Sequence, residues 1–178
     1  MFTFESTKIG KLFLPEFIID KEEVVQLIFP KIDLGDYPLR MKQLLSQSTT
    51  FKSVDAETVN QRNLFGLSYS VAKVLRHHDV ELGLRWQEFM HKAQISLNTK
   101  VSSLPYGIRY ILALEIALVK HDTLILDLSG NDHGTIMQIL KTLTGEIRKG
   151  KTFLVMKEDT LFSEDFSLGK ELQLVYAG

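Results

Sequence analysis

The 178-residue chain contains no cysteine. Disulfides and cysteine-ligated metals are thereby excluded, and a reducing compartment is expected. There are four prolines, and they are scattered; no Pro-rich or Gly/Ser-rich stretch marks a linker, so residues 1–178 read as one domain with one core. A long hydrophobic run is also missing. The longest, YILALEIALV, is about half a membrane span and contains Glu115. The start, MFTFESTKIG, lacks a basic segment followed by an apolar one, so no signal peptide is expected and the chain reads as cytoplasmic. Neither sign of charge dominates: 21 Lys and Arg stand against 22 Asp and Glu, for a net charge of −1. That balance steers the chain to neither nucleic acid nor an anionic membrane surface.

What is present is an ordinary globular composition with a clear order of elements. FTFES alternates, IGKLFL is short and apolar, and EVVQLIF is a β-branched run ending at Pro30; all three read as strands. KIDLGDYP is a loop, and Pro38 suits the first turn of a helix, LRMKQLLSQ. TTFKSV and NLFGLSY are further strand candidates. The region from Ser70 to Ser96 looks helical, with Leu82, Trp86, Phe89 and Met90 at helical spacing; that face is either core or a groove for a partner. In the last third, SSLPYGIRYILALEIALVKHD reads as a helix with Ser103 as cap and Pro105 in its first turn. TLILD is a strand. GNDHGTIMQILKTLTGEIRKG is a loop and a helix with Ile136, Ile139, Leu140 and Leu143 on one face and Gly150 just past the end; KTFLVM is a strand. Helix–strand–helix–strand at this spacing implies parallel strands joined by crossover helices. LILD and FLVM are apolar without alternation, as strands covered on both faces should be.

Read with its letters, this order resembles the nucleotide-binding domain of ABC ATPases. That family has a signature LSGGQ opening a helix that ends in ALARAL; here Leu104-Pro105-Tyr106-Gly107-Ile108 opens a helix containing Leu112-Ala113-Leu114. The family's LLLDEP is here Leu126-Asp127-Leu128-Ser129 within LILDLS, its IMELLKEL is IMQILKTL, and its GKTVLLVTHD is Gly150-Lys151-Thr152 leading to Val155-Met156-Lys157-Glu158-Asp159. The match rests mainly on residues 101–160 and more loosely on the N-terminal strands. It implies an α/β, ABC-ATPase-like P-loop NTPase fold: a central, mostly parallel sheet, antiparallel N-terminal strands and a shortened helical subdomain over about residues 70–104. The alternative is another α/β domain with the same alternation.

The resemblance also assigns chemical positions, and this chain departs from most of them. The phosphate loop should follow EVVQLIF, with glycine amides, a Lys and a Ser/Thr for Mg²⁺. FPKIDLGDYP offers only Gly35, has no Gly-Lys-Ser/Thr, and places Asp33 and Asp36 where phosphates would lie; Lys31 has the wrong spacing. In the signature, the serine becomes Pro105, a residue without hydroxyl or N–H, and the first glycine becomes Tyr106; Gly107 is kept. Asp127 matches the aspartate that orients Mg²⁺ through water. Leu128 stands where a glutamate acts as general base, and leucine accepts no proton. Ser70 takes the place of the glutamine that touches Mg²⁺, Glu158 that of the switch histidine, and the aspartate of the following loop aligns near Gly134. The N-terminal strands show no clear tyrosine to stack on adenine; Phe13 is a weak candidate and is more readily core.

Arg76-His77-His78-Asp79 invites a metal reading, but adjacent histidines diverge and no third ligand is spaced to help, so a solvated polar turn is expected. No Gly-x-Ser-x-Gly elbow occurs. The expectation is a non-catalytic ABC-like protein, a pseudo-ATPase without cofactor, acting through a protein partner: an ABC-type subunit, a membrane-bound transport or secretion assembly, or a second copy in a homodimer. Membrane association would then run through the partner. Two alternatives stand beside it. One is a diverged ABC transporter subunit that still binds ATP and Mg²⁺. The other is an unrelated α/β binding module.

Overall fold

The computed structural model describes residues 1–30, 37–80, 84–158 and 168–176. In chain order its elements are β1 (Phe2–Phe4), β2 (Thr7–Ile9), β3 (Leu12–Leu14), β4 (Phe17–Ile19), β5 (Val24–Phe29), α1 (Tyr37–Ser48), β6 (Lys52–Ser53), α2 (Val71–His77), α3 (Leu84–Lys92), α4 (Tyr106–Lys120), β7 (Thr123–Asp127), α5 (His133–Ile147), β8 (Thr152–Glu158), β9 (Lys170–Gln173) and β10 (Val175–Tyr176), with 3-10 turns at Ala56–Val59 and Val101–Ser103. The chain divides into two compact units, 1–54 with 121–178, and 55–120.

The first unit is built on a five-stranded sheet in the order β6-β7-β8-β5-β9, parallel at every pairing described. All six residues of β5 and the first six of β8 are buried, which is why both read as unbroken apolar runs. Strand parity splits their side chains. Val25, Leu27 and Phe29 join Leu154, Met156 and Ile125 in a core that also takes in Met41 and Leu45 of α1 and Phe51. The antiparallel N-terminal strands close that core. β1 pairs with β4, and β3 lies between β2 and β10. Phe4 stacks on Phe17 with ring centroids 4.5 Å apart, and Phe51 meets Phe4 edge-on.

The opposite parity of the sheet carries polar groups. Gln26 is buried, and its Nε2 donates to the Leu168 carbonyl at 2.8 Å. Lys157 is buried near the end of β8, and its Nζ lies 3.0 Å from Glu171 Oε1 on β9, reaching across the intervening β5. A second pair, Lys170 to Glu23 at 2.8 Å, fixes the start of β9. Edge strand β9 is thus tied to β5 by side chains as well as by the ladder. Gly169, with φ +81°, enters β9 so close to β5 that a Cβ would overlap the Val24 carbonyl.

The second unit is helical. Asp55 caps the first 3-10 turn by accepting from the Glu57 N–H, and Arg109 of α4 pairs with Glu57 at 3.0 Å. His78, at the end of α2, accepts from the Lys120 ammonium at Nδ1 (2.8 Å), and its Nε2 lies 3.1 Å from the Gln61 side-chain amide.

Several local expectations are corrected. IGKLFL is a hairpin, not one strand: β2 and β3 turn through Gly10-Lys11 with Gly10 at φ +58°. NLFGLSY is not a strand. It is a turn with an isolated bridge between Arg62 and Ser68, because Asn63 Oδ1 captures the Phe65 and Leu67 N–H groups. Ser103 does not cap α4; its hydroxyl donates to the Lys100 carbonyl inside the preceding 3-10 turn. Phe13 is not core but lies half out of β3, between inward Leu12 and Leu14. Strands β4, β9 and β10 were not anticipated. Of the expected helical face, Met90 is buried and Phe89 half-buried, while the Leu82 and Trp86 side chains lie outside the described residues.

Candidate functional site

In a parallel sheet with crossover helices, ligands bind beyond the carboxyl ends of the strands. The register brings three such ends together: Asp127 pairs with Met156, and Phe29 pairs with Glu158. Asp127, Leu128, Glu158 and the Phe29-Pro30 exit of β5 therefore share one edge of the first unit. The phosphate-loop positions Lys31, Asp33, Gly35 and Asp36 lie outside the described residues.

Leu128 follows β7 and continues its ladder, its N–H donating to the Met156 carbonyl at 2.9 Å. Its side chain is 1% exposed. An apolar residue fits there because the neighbouring Leu126 and Val155 are fully buried as well. The position aligned with a general base is thus occupied by core. Asp127 is partly buried, and its Oδ1 accepts from the Ser129 N–H at 3.0 Å, an Asx turn that shapes the strand exit. Gly130 completes that turn at φ +73°. Glu158 is exposed at the end of β8. Beside it lies the Lys157–Glu171 pair, which sequence reasoning passed over; a lysine among FLVM on a buried strand was the available signal.

The loop after β7 ends at Asp132, which caps α5. Its Oδ1 accepts from the Thr135 N–H at 3.0 Å and its Oδ2 from the Thr135 hydroxyl at 2.7 Å. These two hydrogen bonds hold its carboxyl below the ordinary range. Gly134, in the first turn, is crowded by that carboxylate: a Cβ there would meet Asp132 Oδ1 at 3.3 Å.

Two of the expected positions belong to the helical unit. Ser70 is the N-cap of α2, its Oγ accepting from the Lys73 N–H at 3.3 Å. Gly107 is buried in the first turn of α4, where the Arg109 N–H donates to the Pro105 carbonyl and Tyr106 is half exposed. Among the described residues no group of three His, Asp or Glu side chains is placed to hold a metal ion. The His77–His78 pair instead meets ring edge to ring face at 5.2 Å.

No protein-family model matches the sequence, and no curated protein matches it. Solved structures do match. An ATP-binding subunit of an ABC transporter aligns with a TM-score of 0.57 at 14% identity, covering 86% of this chain and 77% of that one. CbiO1 of Clostridium perfringens, part of the ABC transporter complex CbiONQ, aligns at 0.54 and 16% identity over 86% and 76% of the two chains. A Pyrococcus furiosus protein assigned as an ABC transporter ATP-binding protein aligns at 0.62 and 14% identity over 94% and 93%. At such identities the likeness is one of fold: the chain has the α/β fold of ABC ATPases.

Proposed function

We propose that this protein is a non-catalytic ABC-ATPase-like subunit that works by protein–protein contact in a transport or secretion assembly. The observation that carries the reading is Leu128. A catalytic carboxylate must reach solvent and a nucleotide; the side chain at this place is sealed in the core and its backbone is spent on the β8 ladder. The other positions agree. The sequence between Pro30 and Tyr37 lacks Gly-Lys-Ser/Thr, Ser70 is spent on capping a helix, and Glu158 adds negative charge at the edge where phosphates would approach. The scaffold strands meanwhile stay apolar and closely packed, which fits a fold retained for its surface.

The partner is a protein, an ABC-type subunit or a membrane-bound assembly, by analogy with CbiO1 in its complex. Among the described residues no helix is long and apolar enough to cross a membrane. A homodimer is the simplest alternative pairing. Retention of Asp127 is the one feature that favours a second reading, residual binding of ATP and Mg²⁺. Calorimetric titration with MgATP separates the two: no saturable heat at millimolar nucleotide is expected, and saturable binding in the micromolar range overturns the proposal.

A further inference from the structure

The helical unit carries a stiff apolar tip. Within residues 63–68 the Asn63 N–H donates to the Leu67 carbonyl and the Gly66 N–H to the Asn63 carbonyl, each at 2.9 Å. Asn63 Oδ1 accepts from the Phe65 and Leu67 N–H groups, both at 2.9 Å. Gly66 supplies the left-handed step at φ +75°. Below the turn the Arg62–Ser68 bridge, the Tyr69 N–H to Gln61 carbonyl bond and the Ser70–Lys100 bridge anchor it to the unit. This ordered protrusion presents Leu64 at 102% exposure and Phe65 at 87%, with Leu67 at 55%. Scattered exposed leucines need no explanation, but three large apolar side chains on one braced tip mark a contact surface.

The charge around the tip identifies the surface it fits. The whole chain is nearly neutral, yet no Asp or Glu occurs from Thr58 to His78 or from Phe89 to Leu114, the two segments that the Ser70–Lys100 bridge brings together. Arg62, Lys73 and Lys100 are exposed in them. Lys73 holds its ammonium 4.0 Å from the Tyr69 ring centroid, an aromatic and cation pairing suited to an interface with one apolar and one wet side. The nearest acid in sequence, Glu57, is neutralised by Arg109. An exposed apolar tip on acid-free segments that carry exposed cations is complementary to an anionic lipid surface: the tip enters the acyl boundary while the cations remain among the headgroup phosphates. We propose that the 62–69 turn, with Lys73 and Lys100, docks this protein directly on anionic membranes, independently of any protein partner.

The test is flotation of the full chain with phosphatidylcholine vesicles, with and without phosphatidylserine. Binding is expected only with phosphatidylserine and should weaken as salt is raised. Replacing both tip residues (Leu64→Ser with Phe65→Ser) should lower binding roughly ten-fold or more. Both side chains are solvent-exposed, so circular dichroism and thermal midpoint should not change. Arg62→Gln with Lys100→Gln should flatten the salt dependence while leaving the tip intact. Absence of binding to phosphatidylserine vesicles, as when the tip docks on a protein, overturns the proposal. So does binding that survives loss of Leu64 and Phe65.

Discussion

Leu128→Glu would place a carboxylate where the resemblance to ABC ATPases puts the general base, and the structure sets what that change costs. The leucine side chain is 1% exposed. Truncating such a residue to alanine costs about 2–5 kcal/mol, the lost transfer energy plus that of the cavity. For a chain of this size each kcal/mol moves the thermal midpoint by about 2–4 °C, so Leu128→Ala should lower it by about 6–12 °C at a mid-range cost of ~3 kcal/mol. Glutamate loses much of the same burial and adds an ionisation penalty. Holding a carboxyl neutral at pH 7 costs about 1.4 kcal/mol per unit above its ordinary pKa near 4.3, about 4 kcal/mol in all. Leu128→Glu should therefore be clearly worse than Leu128→Ala at neutral pH. The sign of its pH dependence is fixed: a carboxyl whose folded pKa is raised binds more protons folded than unfolded, so the deficit shrinks as pH falls. The backbone bond to Met156 survives in every variant, so the comparison isolates the side chain. Urea unfolding at pH 7 and pH 5 is the assay. If Leu128→Glu lies within about 1 kcal/mol of the parent at both pH values, position 128 opens to a solvated cleft and the core reading is wrong.

Two further outcomes are expected. Gly169→Ala should cost more than the ~1–2 kcal/mol of a left-handed residue, because its Cβ also overlaps the Val24 carbonyl. Hydrogen exchange should rise first in β9, and an unchanged exchange pattern would refute that close approach. Burial holds the His78 pKa below its ordinary value, and Lys120 and His77 lower it further. A folded ring that resists protonation contributes stability that is whole above about pH 6.5 and is lost as pH falls through the lowered folded value. Lys120→Met should raise the His78 midpoint in an NMR titration; an unmoved midpoint would show that the ammonium does not govern it.

The parallel sheet was legible because β5, β7 and β8 are covered on both faces, and burial on both faces leaves only one kind of letter. Helix α5 was equally plain, since Ile136, Ile139, Leu140 and Leu143 repeat at helical spacing. Short strands carried too few residues to show a period: β4 has three and β10 two. The 63–68 turn was misread because Leu64, Phe65 and Leu67 are strand-forming letters, while the residue that decides is Asn63, through side-chain bonds to the backbone. At the site, the mismatch at Leu128 was visible in the sequence; its burial followed from the strand it ends. The partner of Lys157 was not visible, because Glu171, the carboxylate that makes a buried lysine tolerable, comes from a strand with no sequence signal.

The seat of β5 in its sheet has a consequence for how the chain is made. β5 is complete by residue 29, yet its two neighbours, β8 and β9, are residues 152–158 and 170–173. During synthesis VVQLIF leaves the ribosome well before β8 and β9 and waits, unpaired along both edges, until they have followed. Closing so distant a pairing is slow, and an apolar β-branched segment left without partners is prone to stick to its like. Yield in the cell should therefore depend on what shields those six residues in the interval, whether a chaperone or the early antiparallel strands folding over them.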